Sequence, residues 1–139
     1  MADLDRLAAL NARIADAAID PAVFAQIVNA LPDGLVVINE AAEVRFVNMQ
    51  VELMFGYPRA DLLGEPVHKL LDPSIREQHA KHIAGFFVNP TPRPMNFARV
   101  LDGRHANGRK VQVQISIAPL IADEGVLAIA VIRRVAGGQ

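Results

Sequence analysis

Apolar and polar residues alternate most regularly in the last third of the chain. From Val111 to Ile117, valine or isoleucine stands at every second position, and glutamine or serine stands between them. A period of two is typical of a β-strand that buries one face and wets the other, so we predict a strand at 110–119. Shorter apolar runs between turn residues predict four further strands, at 34–39, 44–47, 95–101 and 126–135.

Helical patterns occupy the stretch between the second and third predicted strands. Asn48 is expected to cap the first of these helices, and two short helical pieces are expected at 60–63 and 67–71. A longer helix at 75–87 begins after a Pro-Ser pair. Two strands, several short helices and three strands predict an α+β domain, in which short helices cup a five-stranded antiparallel sheet.

An amphipathic pattern precedes this domain. Residues 3–19 place four apolar side chains at the seam spacing of a short coiled coil, namely Leu7, Leu10, Ile14 and Ala17. This N-terminal helix is expected either to join two copies of the chain as a homodimer or to lie on its own domain. A second short helix is predicted after Asp20 and Pro21, an N-cap followed by proline. The predicted organisation is a helical cap or dimerisation segment, the α+β domain and a flexible tail, at 1–31, 32–135 and 136–139.

Composition and charge narrow the class of partner. The chain has 139 residues, with 14 basic and 15 acidic side chains that are interspersed and sum to a net charge of −1. This balance argues against a nucleic-acid partner. No apolar run approaches the 18 residues of a membrane span, and the first ten residues lack the features of a signal peptide. We therefore expect a cytoplasmic domain without a membrane partner.

The residue types present also exclude several chemistries. The chain contains no cysteine, which removes thiol nucleophiles, zinc–thiolate clusters, thioether-linked haem and cysteinyl-flavin adducts. It shows no serine–histidine–acid arrangement, no phosphate-binding glycine loop and no cluster of paired carboxylates. We expect a binding or regulatory module and not an enzyme, with any catalysis in a separate output domain.

Two histidines stand out on the predicted helix 75–87. At about 100° per residue, His79 and His82 share a face with Ile75, Ile83 and Phe86, so both imidazoles are predicted to face the core. An imidazole buried without a hydrogen bond costs about 1–3 kcal/mol, so each needs a backbone partner or a metal. The other two histidines, His68 and His105, are expected on solvated loops.

Five segments in the right order resemble a PAS domain. They are LPDGLVVINEAAEVRFVN, NMQVELMFGY, RADLLGEPV, DGRHANGRKVQVQISIAPL and VLAIAVIRRV. The resemblance implies a sensory or dimerising module that often holds a ligand between its sheet and its central helices. It also implies a fused or separate output domain, such as a histidine kinase or a cyclic-dinucleotide enzyme.

Residues 73–118 resemble more narrowly the haem-binding PAS domains of rhizobial oxygen-sensor kinases and of direct oxygen-sensor phosphodiesterases. The resemblance implies that His79 is the axial ligand of haem b and that Arg99, twenty residues later, hydrogen-bonds bound dioxygen. Ile115 and Ile117 would pack on the distal face of the haem. The sequence also departs from this family at two positions. The tyrosine that the family carries three residues after the proximal histidine is His82 here. The basic residue six positions after that histidine, which can reach a haem propionate, is Gly85 here.

The remaining residues of the expected cofactor site are Ile83, Phe86, Met95 and Phe97.

Several alternatives to this haem site stay open. His79 is an ordinary core histidine in one of them, His82 is the iron ligand in another, and the two histidines together hold a divalent metal in a third. In a further alternative, Arg99 does not contact dioxygen but forms a surface ion pair with the carboxylate of Asp72, Glu77 or Asp102. For the domain as a whole, one alternative is that it binds flavin or a metabolite in place of haem. Another is that it is an interaction module without a cofactor.

Overall fold

Five antiparallel strands form one sheet, as the computed structural model shows for residues 5, 20–91 and 100–135. In chain order they are β1 (Gly34–Ile38), β2 (Val44–Val47), β3 (Val100–Arg104), β4 (Lys110–Ala122) and β5 (Gly125–Arg134). Their order across the sheet is β2-β1-β5-β4-β3. The predicted α+β class and sheet are confirmed. The described part of the third strand extends to Arg104, beyond its predicted end, while residues 95–99 lie outside the described ranges.

One helix precedes β1, and several short helices cover the sheet in the stretch between β2 and β3. The helices are α1 (Pro21–Ala30), α2 (Met49–Phe55), α3 (Arg59–Leu62) and α4 (Arg76–Val88), with 3₁₀ turns at Val67–Leu70 and Pro73–Ile75. α1 begins as predicted, because the Asp20 carboxylate accepts a hydrogen bond from the Val23 amide at 2.9 Å. The predicted first helix, at 3–19, lies outside the described residues apart from Asp5. Within the described ranges, no helix has both the length and the apolar content needed to cross a membrane.

Asn48 stands at the predicted N-cap position of α2 but does not cap that helix with its side chain. Its Oδ1 accepts a hydrogen bond from the Leu35 amide at 2.9 Å. Its Nδ2 donates to the carbonyl oxygens of Val28 and Asp33, both at 3.0 Å. Asn48 is 1% exposed, so its bonds to Leu35 and Val28 are buried and its bond to Asp33 is partly buried, and together they join α1, β1 and α2.

The core lies between the helices and the inner face of the sheet. Val111 and Val113 are buried there as their alternation predicts, whereas Ile115 and Ile117 are only partly buried. On the opposite face, Gln112 is exposed but Ser116 is buried. The face of β4 that was predicted to be exposed to solvent is therefore exposed only near the start of the strand. Ser116 lies opposite Val131, in the middle of the β4–β5 pairing.

Candidate functional site

The inner face of α4 carries the residues around which the site is built. Ile83 and Phe86 are buried, and His79 is half-buried beside them. His82 is exposed, so the prediction that both histidines face the core is wrong for His82. The physical reason is angular, because a residue three positions along a helix is turned by about 60° and moves from the centre of the buried stripe to its edge.

A small, partly enclosed cavity lies between α4 and the sheet. Its volume is about 60 Å³, which is room for roughly two water molecules. His79 contributes a polar group to walls that are otherwise aliphatic or aromatic; they include Val36, Leu70, Ile83, Ile115, Ile117 and Ile132. Ile115 and Ile117 pack against the buried core but also face this space, so they are only partly buried. This cavity alone is too small for a macrocycle.

An open groove of about 540 Å³ adjoins the cavity on the side of α4 that faces β3 and β4. The cavity and the groove share the four side chains His79, Ile83, Ile115 and Ile117. Phe86 and Leu101 extend its apolar wall, and Lys81 and His82 supply polar groups. The groove has the volume of a typical small-molecule site, which is about 300–1,000 Å³.

The imidazole of His79 is the most perturbed group of the site. Its Nδ1 is buried and has no hydrogen-bond partner among the described residues. Burial, together with the neighbouring His68 and His82, lowers the pKa of His79 to about 4. The ring is therefore neutral at pH 7 and keeps a nitrogen lone pair, which is the form that binds a metal.

His68 lies next to His79 and was missed as a site residue. It was expected on a solvated loop, but it belongs to the 3₁₀ turn Val67–Leu70 and is half-buried, so that expectation is wrong. The two ring centroids are 5.5 Å apart, and the planes meet at 83°. Burial lowers the pKa of His68, and the guanidinium of Arg76 lowers it as well. His68 and His79 are eleven positions apart on different elements, so no local pattern in the sequence could bring them together.

His105 lies in the loop between β3 and β4, as predicted, but it is partly buried and not fully solvated. Its Nδ1 accepts a hydrogen bond from the Asn107 amide at 3.1 Å. The ring covers Gly56, where a Cβ atom would come within 2.3 Å of His105 Cε1. His105 therefore packs against the end of α2, and it lines neither the cavity nor the groove.

The structure brings His79, Ile83, Phe86, Ile115 and Ile117 together around the groove. The other three predicted site residues, Met95, Phe97 and Arg99, lie outside the described residues. Two of the carboxylates suggested as surface partners of Arg99 already have other contacts. Asp102 lies 3.8 Å from Lys110 Nζ, and Asp72 accepts hydrogen bonds from Ser74.

The donor set fits a haem better than a bare metal ion. Within 20–91 and 100–135, no group of three or more histidine, aspartate or glutamate side chains is arranged to hold a metal ion. A structural zinc ion needs about four such ligands, whereas b-type haem is anchored by a single neutral imidazole. His79 supplies that imidazole beside an apolar groove, so the residues present are compatible with haem.

Comparison with known proteins agrees with this architecture. A family model described as the PAS fold matches residues 22–135. The oxygen sensor protein DosP of Escherichia coli is 27% identical over 100 residues, which are 72% of this chain and 12% of DosP. The sensor protein FixL of Bradyrhizobium diazoefficiens is 21% identical over 94 residues, or 68% of this chain and 19% of FixL. The chain thus spans less than a fifth of the length of these curated relatives.

Solved structures share the fold at low identity. A PAS domain from Colwellia psychrerythraea has a TM-score of 0.69 and 18% identity, covering 81% of this chain and 93% of that one. The PAS domain of the quorum-sensing receptor RpfR from Cronobacter turicensis, solved in complex with C12:0, has a TM-score of 0.62 and 13% identity. That match covers 78% of this chain and 99% of the RpfR domain.

Proposed function

This chain belongs to the PAS family, and on that premise we propose that its sensory ligand is haem b, bound through His79, and that its signal is oxygen or another diatomic gas. PAS domains are regulatory sensory modules, so the proposal concerns what is sensed and not whether the domain catalyses a reaction. The similarity to a protein named as an oxygen sensor supports it. The observation that carries it is the neutral, half-buried imidazole of His79 at the wall of a large apolar groove.

His79 would hold the iron, because it is the histidine at the centre of the buried face of α4. Its low pKa means that no proton competes for the ring nitrogen at neutral pH. Bound haem would supply the iron that takes up a diatomic gas. The protein contributes the orientation of the imidazole and a water-poor surrounding, both of which tune an iron centre.

The apolar walls and the polar rim of the groove suit the two parts of a haem. Ile83 and Phe86 from the helix and Ile115 and Ile117 from the sheet offer aliphatic and aromatic surface to a flat macrocycle. Lys81 is exposed on the same groove, where its ammonium group can pair with a propionate. Arg99, with Met95 and Phe97, would complete the side opposite His79.

Signal transmission would pass through the sheet. Ile115 and Ile117 lie on β4, which pairs along its length with β5, the last described strand. A change at the groove would therefore reach β5 through packed side chains and the β4–β5 ladder. We place an output domain, such as a histidine kinase or a cyclic-dinucleotide enzyme, beyond β5, and a homodimer contact in residues 3–19.

Titration of the purified protein with hemin tests the proposal. The parent should develop a Soret band that saturates at one equivalent of hemin, because one imidazole anchors one iron. His79→Ala should abolish that band, and His82→Ala, which removes a histidine one turn away on the same helix, should keep it. Loss of the band in His82→Ala alone would show that His82, and not His79, is the iron ligand. A band that survives in both variants would refute the assignment to this helix.

A second candidate ligand is an aliphatic chain with an acidic head. The partly enclosed apolar cavity opens on the same side chains as the groove, and Lys81 stands on the groove where a carboxylate could pair. The RpfR PAS domain, solved with C12:0, shares the fold. Dodecanoate binding that Lys81→Ala weakens and His79→Ala leaves intact would favour this ligand. Binding of neither hemin nor dodecanoate would favour a cofactor-free interaction module.

A further inference from the structure

We propose that His68 is a positioning residue for His79, whose Nδ1–H donates a hydrogen bond to His68 Nε2. This bond would determine which nitrogen of His79 remains free to bind a ligand. The assignment of that ligand as haem rests on the proposed function, whereas the hydrogen bond itself does not. No short motif links the two residues, and their contact arises only from the packing of the 3₁₀ turn against α4.

Two buried nitrogens without hydrogen bonds carry the argument. Within the described ranges, His68 Nε2 and His79 Nδ1 are the side-chain polar atoms that are buried and lack a partner. Native proteins rarely leave such atoms unsatisfied, and here the two belong to rings that touch edge to face, with centroids 5.5 Å apart. The proposed hydrogen bond requires the two rings to turn until these nitrogens face each other.

Both rings are neutral at pH 7, which makes the pairing chemically complementary. Burial lowers the pKa of each, and Arg76 disfavours a charge on His68. The Arg76 guanidinium is held in place, since its Nε donates to the Leu71 carbonyl at 3.0 Å. A neutral imidazole has one N–H and one lone pair, so a single proton satisfies both buried atoms if it sits on His79 Nδ1.

The backbone around His68 is suited to a positioning role. The Leu71 amide donates to the His68 carbonyl at 3.0 Å, and the Asp72 amide donates to the Asp102 carbonyl on β3 at 3.0 Å. Leu71 also forms a bridge with Gly103, where a Cβ atom would lie 2.8 Å from the Phe55 ring. His68 therefore projects from a turn that is anchored to the sheet, and it can hold the imidazole of His79 in one tautomer and orientation.

Nitrogen NMR of the haem-free protein tests the tautomer directly. Long-range proton–nitrogen correlations at pH 7 should place the proton of His79 on Nδ1 and leave Nε2 of His68 unprotonated. In His68→Leu, the His79 resonances should shift toward a mixture of the two tautomers. His68→Gln, which retains an acceptor, should preserve the parent tautomer, and His105→Gln should leave it unchanged. A parent protein with the His79 proton on Nε2 would overturn the proposal even if His68→Leu failed to fold.

Hemin binding distinguishes the positioning role of His68 from the proposed binding of haem through His79. If hemin binds through His79, His68→Leu should weaken its affinity by about 10–100-fold and lower the iron–histidine stretching frequency in the resonance Raman spectrum, and His68→Gln should recover both. An unchanged affinity and frequency in His68→Leu would overturn the positioning role. If hemin does not bind at all, the assignment of haem fails, and the NMR result alone decides whether His68 orients His79.

Discussion

Acid should weaken the haem-free domain chiefly through His79. The pKa of its imidazole is lowered by burial from 6.5 to about 4 in the folded protein, whereas the unfolded chain keeps the ordinary value. Between these two pH values, the His79 imidazole binds a proton in the unfolded chain but not in the folded protein. The free energy of unfolding is therefore highest above pH 6.5, and the contribution of His79 is lost as the pH falls through 4.

The size of this effect follows from the lowered pKa. Each pH unit of difference between the folded and unfolded values corresponds to about 1.4 kcal/mol, which sets an upper limit of about 3 kcal/mol for His79. Because the ring keeps some contact with solvent, we expect about 2 kcal/mol. That is a large fraction of the stability of an ordinary domain, which is about 5–15 kcal/mol.

Urea unfolding at pH 7.5 and pH 4.5 measures the loss. His79→Gln cannot titrate, so it should lose about 2 kcal/mol less stability than the parent between the two pH values. Carboxylates contribute equally to both proteins and cancel in the difference. His105→Gln is the matched control, because it removes a histidine that lines neither cavity nor groove, and it should lose as much as the parent. Equal losses in the parent and His79→Gln would show that the imidazole is not buried in solution.

Three other predictions follow from the structure and the proposed function. Asn48→Ala should lower the free energy of unfolding by about 2–4 kcal/mol, since it leaves the Leu35 amide and two carbonyl oxygens without their partner. Asn48→Asp keeps the acceptor but buries a carboxylate that faces the same two carbonyl oxygens, so it should cost at least as much, and equal urea midpoints for all three proteins would contradict the bridging role. Arg99→Ala should accelerate oxygen dissociation from the ferrous haem-loaded protein in flash photolysis, because an arginine is proposed to stabilise the polar bound form, and an unchanged rate would remove Arg99 from the mechanism. Deletion of residues 1–19 should halve the apparent mass in sedimentation equilibrium, and a parent that is already monomeric would refute the proposed dimer contact.

Local periodicity was sufficient to predict most of the architecture. The alternation from Val111 to Ile117 predicted β4, and the apolar spacing of Ile83 and Phe86 predicted the buried face of α4. These patterns work because the pleat of a strand and the turn of a helix repeat at fixed periods, so the neighbours of a residue along the chain report which way it points. The same periodicity predicted that His79 lies on the inner face of α4, next to aliphatic side chains.

The same patterns failed where exposure depends on another element. His82 was predicted to face inward, but it lies at the edge of the α4 stripe and is exposed. Ser116 was predicted on a solvent-exposed face, but it is buried. Asn48 was predicted to cap α2, but its amide bonds instead to the backbone of Leu35 in β1 and of Asp33 just before that strand. For Asn48 the deciding contacts come from residues distant in sequence, which a local period does not contain, whereas for His82 the cause is its angular position on the helix.

By itself, the sequence determined the order and type of the strands and helices, the class of fold, and the presence of an imidazole on an apolar helix face. Only the tertiary structure decided that His68 meets His79, that a small cavity and a larger groove share the wall around His79, and that His82 stays at the rim. The physical reason is that secondary structure follows from repeating local geometry, whereas a binding site forms where separate elements pack together and leave space between them.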